Sequence, residues 1–330
     1  MIDLANRTSG KPQPAGRAST ARQFSPLTRI VRSVRQNGSL FLMALPGLLL
    51  LLAFNYLPMA GLVIAFKDYK PIKGVMASSW SGLHNFKYLF GTEIASRITI
   101  NTLLLNGVFI ITGIIASLLI ALLLNEVRVH YLTRVYQSAV FFPFFVSWIV
   151  VGYFVFALLN TDSGLINKLL TSLGLETVDW YSSPKFWPAI LTAANLWKNA
   201  GYWSIIYLAG MMTISQEYYE AARIDGASRI QQIVYITLPL LLPIIIVNLL
   251  LSIGRIFFAD FGMFYYVTRN NPLLYPTTDV IDTYVFRALR SLGDYGMASA
   301  ASFYQSLVGF TLVVAANWAV KRFAPDKSLF

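Results

Sequence analysis

Four stretches of this chain run for more than 25 residues without a charged side chain: Leu40 to Phe66, Ile98 to Asn125, Val135 to Thr161 and Tyr295 to Val320. A bilayer core about 30 Å thick is crossed by roughly 20 apolar residues in helical form, so each run is long enough to span. Inside lipid the backbone must satisfy its own polar groups, which restricts a spanning chain to helices or a closed barrel. No segment alternates with the period of two that a barrel strand requires, which excludes a porin-like barrel and predicts an all-α chain. Two less clean runs complete the set. Phe186 to about Met212 contains Lys198, and the apolar stretch that follows Glu220 continues through Gly254 to Arg255. The expectation is a polytopic membrane protein with six transmembrane helices.

Composition agrees, with 56% hydrophobic and only 12% charged residues, where a soluble domain carries about 25% charged. The net charge of +11 could suggest nucleic acid, but seven Lys/Arg against one Asp precede Gly38. A basic tail beside a span sets topology, so residues 1–39 are read as a flexible cytoplasmic tail and no nucleic-acid partner is expected. The run from Leu40 exceeds the 7 to 15 residues of a signal-peptide core, so it is expected to remain in the mature protein. An even number of spans then returns the C-terminus to the cytoplasm. Lys/Arg count fourteen on the predicted inner side against ten outside, the bias expected of a multi-pass protein of the cell inner membrane. There is no cysteine, and His84 and His130 lie 46 positions apart in different loops. A metal site or a histidine-based catalytic triad is therefore not expected.

Between the fourth and fifth runs lies "EYYEAARIDGASRIQQIVYITLP", too polar to enter a bilayer and too regular for a plain connector. The Ala-rich piece Glu217 to Ile224 favours helix, and Gly226 tolerates the positive φ of a tight turn. Ile230, Ile233 and Val234 give the second piece an apolar stripe. Pro239 and Pro243 fall where the fifth span begins, which predicts an irregular or kinked start. Two short helices with an elbow on the cytoplasmic face either join two spans or present a docking surface. On the outer side, Ile281, Val285, Ala288, Leu289 and Leu292 recur at helical spacing while Asp282, Arg287 and Arg290 take other positions. This predicts an amphipathic helix against the outer mouth.

The order Glu220-Ala221-Ala222, Asp225-Gly226-Ala227, then Ile236, Leu238 and Pro239 resembles the EAA loop of binding-protein-dependent ABC importer permeases of type I. "ALLLNEV" at 121–127, "FFPFFVSWIVVG" at 141–152, "DVIDTYVFRAL" at 279–289 and "FYQSLVGFTLVVAANWAVKR" at 303–322 look like the oligosaccharide and polysaccharide-fragment branch, similar to alginate-type sugar permeases. Ile230 departs from the aromatic expected there in that branch. The resemblance implies a permease domain over 40–330, with coupling helices at about 217–235 inserting into an ATP-hydrolysing subunit. Glu220 would be the acidic contact, Gly226 the turn, and Ala221 and Ala222 the small residues of close approach. It implies ABC ATPase subunits holding ATP and Mg, a second homologous permease subunit and an extracytoplasmic solute-binding protein as partners. In keeping with this, no G-x-x-x-x-G-K-[ST] phosphate loop is present, so no cofactor and no enzymatic activity are expected on this chain.

Charges inside a membrane are functional candidates by default. Lys198 lies about 18 Å into the fourth run, near the midplane, with Trp197, Asn199, Tyr202, Trp203 and Tyr207 around it. Aromatic faces with amide and cationic donors suit sugar rings, and a lysine suits a carboxylated sugar. The other reading has Lys198 paired or snorkelling and the aromatics in an interfacial belt. Arg255 and Asp260 are expected to form an ion pair at the outer mouth. Asn106, Asn160, Asn195 and Asn248 are further polar positions that could bridge helices. An ion-coupled secondary transporter would need intramembrane carboxylates, and no Asp or Glu lies in a predicted span. A membrane-embedded enzyme would need clustered acids or histidines, and the 15 acids are scattered mainly through loops.

Overall fold

The computed structural model describes residues 37–127 and 129–323. Most of the basic tail and the last seven residues lie outside that range. The chain divides into two compact units, one ending at Ala60 and one beginning at Gly61. In the first, α1 (Gly38–Leu51) continues as a π turn over Leu52–Tyr56. Every residue from 37 to 60 is exposed, and a helix that is apolar on all sides is suited to lipid.

The second unit is built on α2 (Glu93–Asn125) and α5 (Trp187–Met212), which pack along each other. Small residues permit this. Ser117 and Ala121 of α2 and Ala194, Ala200 and Ser204 of α5 are buried, which lets backbones approach without a driving force from water. On another side of α5, Gly201 is required in the strict sense by the helix that contains Val140. A Cβ there would stand 1.9 Å from the carbonyl oxygen of Val140.

Four helices are long and apolar enough to cross a membrane: Gly38–Phe66, Glu93–Asn125, Arg229–Gly254 and Tyr295–Trp318. The run expected as one straight span at 135–161 is instead broken. Tyr131–Phe145 and Trp148–Leu159 meet at 97°, and count as a fifth span only if taken together. They comprise α3 (His130–Phe141) with a 3-10 turn over Phe142–Phe145, then α4 (Trp148–Leu159). The fourth expected span, α5, is 26 residues long and reaches about 39 Å. Asn195, Lys198 and Asn199 lower its apolar character.

Past α5 come α6 (Gln216–Ile224), α7 (Arg229–Gln232) and α8 (Leu238–Gly254), followed by α9 (Ile281–Arg290) and α10 (Tyr295–Phe323). The predicted irregular start of the fifth span is a π turn over Ile233–Thr237, immediately before Pro239. A two-residue antiparallel pair, Lys67–Asp68 with Ser79–Trp80, is the strand content of the described residues.

The helix expected at the outer mouth forms as α9 and packs on α10, but its faces differ from the periodic reading. Ile281 and Ala288 are buried, whereas Leu289 and Leu292 are 45% and 73% exposed. Charge rotates the helix. The fully buried carboxylate of Asp279 accepts from Arg287 Nη2 at 2.5 Å and from Arg97 Nη2 of α2 at 3.2 Å. Asp282 accepts from the Ala259 amide at 2.8 Å and from Gln305 Nε2 of α10 at 3.0 Å. Burial pushes the Asp282 carboxyl above the usual carboxylate range, against the pull of those two donors. Two acids thus tie the outer segment to three helices. Asp279→Ala leaves Arg287 buried without its counter-ion and is expected to destabilise the fold by about 3–5 kcal/mol. Thermal unfolding of the purified protein in detergent checks this.

Candidate functional site

Three features carry the chemistry: a hairpin between α5 and α8, a helix break held by a lysine, and a polar cleft between helices.

The hairpin is closed by local hydrogen bonds. The Ser215 hydroxyl accepts from the Glu217 amide at the start of α6. At its end the Ala227 amide donates to the Ala222 carbonyl at 2.8 Å and the Gly226 amide to that of Arg223 at 3.1 Å. This is a Schellman motif, which requires a left-handed residue, and Gly226 supplies it with φ +79°. Ser228 and Gln231 then cap α7 reciprocally, each accepting from the other's backbone amide. One face is bolted to the spans. Tyr219 shares a hydrogen bond of 2.9 Å with Thr237 in the π turn, and Arg229 pairs with Glu126 at the end of α2, 3.5 Å away. The other face is open. Glu220, Ala221, Asp225 and Gly226 are exposed, and so are Tyr218, Ile224 and Ile230, at 57%, 87% and 74%. Ala222 and Ala227 are half-buried beneath them. Ile236 and Leu238, also half-buried, and the exposed Pro239 lie in the π turn and first turn of α8.

Lys198 occupies a different position from the one its neighbours in sequence suggest. Its ammonium donates to the carbonyls of Phe144 and Val146, both at 2.6 Å. These belong to the last turn before the break, where a helix leaves carbonyls without amide partners. The same ammonium lies 5.5 Å and 5.4 Å from the ring centroids of Phe144 and Trp148. Tyr202, one turn along α5, stacks on Phe144 with centroids 4.5 Å apart. Lys198 and Tyr202 therefore face α3 and the break.

The cleft lies on another side of α5. It encloses about 970 Å³ between α2, α5, α8 and the segment after α8, the upper end of the roughly 300–1,000 Å³ usual for ligand sites. Its polar groups fall on helical stripes: Asn195, Asn199 and Trp203 on α5, Asn248, Ser252 and Arg255 at the end of α8, and Asn106 and Ser117 on α2. Some are tied up in the frame. Asn106 Nδ2 donates to the Ile256 carbonyl at 2.8 Å, and Asn248 Nδ2 to the hydroxyl of the fully buried Tyr207 at 2.6 Å. The Ser117 hydroxyl is buried with no partner.

The six aromatic and polar residues anticipated around the fourth span are thus divided by the fold. Asn199 and Trp203 line the cleft, Lys198 and Tyr202 hold the break, Tyr207 is core, and Trp197 is 49% exposed away from the cleft. The anticipated ion pair of Arg255 with Asp260 is not among those of the described residues. Asp260 instead accepts from the Trp148 indole at 2.6 Å and from the Met263 amide. That leaves Arg255 without a side-chain partner. Asn160 caps the loop after α4 through the amides of Asp162 and Ser163. Sequence reasoning passed over Ser147, whose hydroxyl accepts from the Val150 amide and starts α4. A capping serine inside an apolar run was the available signal.

The described residues thus form a bundle of apolar helices with a capped hairpin at one end and a polar cleft between helices, an architecture shared with membrane permeases. The chain belongs to the family of binding-protein-dependent transport system inner membrane components, which matches residues 110–327. It is 38% identical over 291 residues to protein LplB of Bacillus subtilis, covering 88% of this chain and 91% of that one. It is 35% identical over 298 residues to the polygalacturonan/rhamnogalacturonan transport system permease protein YteP of the same organism, covering 90% and 92%. Among solved structures it is similar to a chain of a bacterial ABC transporter involved in the import of the acidic polysaccharide alginate. The TM-score is 0.82 at 34% identity, covering 90% of this chain and 99% of that one. The fold is accordingly that of a type I ABC importer permease, an inner-membrane transport subunit.

Replacing Lys198 by Met removes the donor from two carbonyls at the break, an expected loss of roughly 1–3 kcal/mol for each group left unsatisfied. Lys198→Arg, which keeps donors at the site, is expected to lose less. Thermal unfolding in detergent compares the two.

Proposed function

We propose that the chain is the membrane-spanning subunit of an ATP-driven importer for oligosaccharides, acidic ones among them, delivered by an extracytoplasmic binding protein. The observation that carries this is the hairpin. Its inner face is fastened to the end of α2 and to the π turn before α8 through Glu126 and Thr237. Its outer face presents Tyr218, Ile224 and Ile230 to the surroundings. Covering each isoleucine contributes about 1.5–3 kcal/mol to docking. In this reading 217–235 are coupling helices seated in a cleft of the ABC ATPase subunit, with Glu220 as an acidic contact. ATP and Mg bind on that partner. Closure of the ATPases pulls the hairpin, and Arg229 and Thr237 pass the motion to α2 and α8, which wall the cleft.

A second, homologous permease subunit completes the pathway. Stripes of carboxamides and hydroxyls through an apolar bundle are costly unless they meet one another or a polar passenger. A sugar satisfies them with its hydroxyls, and Trp203 offers a flat face for a pyranose ring. The two permeases named above for polygalacturonan/rhamnogalacturonan and alginate support a glycan, and support carboxylated sugars within that class.

Purification of the tagged chain from its native membrane in mild detergent tests the assembly. An ATPase subunit and a second permease are expected to accompany it. Gly226→Val forces a β-branched residue to φ +79° and is expected to lose the ATPase. Gly226→Asn should retain it, because Asn tolerates the left-handed region and no atom lies within 4 Å of an added Cβ. Recovery of the intact wild-type chain with no ATPase would sink the proposal.

A further inference from the structure

The cleft is lined by two charged side chains, Arg255 and Asp260. Their situations differ. Asp260 is held by the Trp148 indole and the Met263 amide, and the ammonium of Lys198, 5.4 Å from the centroid of the same indole, attracts it. The negative charge thus has a cation behind it. Arg255 ends α8, where its amide donates to the Ser252 carbonyl at 3.0 Å, and among the described residues its guanidinium has no ion pair or hydrogen bond. Arg255 is exposed, on the same helical face as Ser252 and Asn248. It stands about 10 Å along the axis from Asn248.

A guanidinium presents a planar fork of donors that matches a carboxylate in two parallel bonds. Lys198 cannot serve this role as it stands, because two carbonyls already occupy its ammonium at 2.6 Å. We infer that Arg255 is the residue by which this cleft distinguishes carboxylated sugars from neutral ones, pairing with a uronate carboxylate while the stripe of Asn199, Trp203 and Ser252 contacts the ring. The inference rests on the oligosaccharide reading above and adds to it the group that selects charge.

The test is direct binding of trigalacturonate and of its fully methyl-esterified form to the purified importer complex in detergent, without the binding protein. The two probes share a skeleton and differ in charge. Wild type is expected to bind the acid more tightly than the ester. Arg255→Gln should weaken acid binding about tenfold or more, the scale of a lost charge-assisted hydrogen-bonded pair, and leave the ester unchanged. Arg255→Lys should keep much of the preference. Equal binding of both probes by wild type overturns the inference while leaving a sugar importer in place. So does an equal loss of both in Arg255→Gln, or no loss of the acid. If the intact wild-type complex binds neither probe, the oligosaccharide reading falls with it.

Discussion

A carbonyl freed by a helix break inside an apolar layer must find a donor, and here the donor comes from another helix. The third spanning segment turns through 97° after Phe145, which strips Phe144 and Val146 of their amide partners. Lys198 of α5 supplies both with ammonium protons. An isolated lysine at the level of the bilayer core costs roughly 2.5–3.5 kcal/mol on insertion scales. A lysine bonded to two carbonyls and set beside the rings of Phe144 and Trp148 answers that cost and the break together. The orientation of α4 follows from it, and so does the position of Trp148, whose indole fixes Asp260 and the segment after α8.

The same economy governs the two ends of the bundle. At the outer end Asp279 is buried and Asp282 half-buried, and each is held by donors from separate elements, so α9 is fastened to α2, α10 and the segment at Ala259. At the inner end the hairpin is rigid by its own caps and reaches the spans through Glu126 and Thr237. Between them the π turn over Ile233–Thr237 puts α7 and α8 in one helical run, so the second hairpin helix continues into a wall of the cleft.

Legibility tracked the range of the interaction involved. The hairpin could be read from sequence because its bonds are local, none of those that close its helices spanning more than five residues, and a Schellman turn needs nothing from elsewhere. The asparagines of α5 were visible as periodic polar positions. The partner of Lys198 was not, since the carbonyls it meets are 52 and 54 residues away and backbone atoms leave no trace in residue type. The faces of α9 were misread because hydrophobic spacing placed Leu289 and Leu292 inward. An ion pair across 182 residues, Arg97 with Asp279, decided otherwise.

Uncharged runs of more than 25 residues determined by themselves that this chain is helical and lies in a membrane, because lipid offers the backbone no other partner. The local signals of residues 215–239 likewise determined a capped hairpin. Only the tertiary structure decided which charges are free. Lys198 and Arg255 look alike in sequence, each a lone cation in or beside an apolar run. One is taken by the carbonyls of a broken helix and the other faces an open cleft. That distinction depends on where a second helix breaks and turns, a property of packing that no local stretch contains.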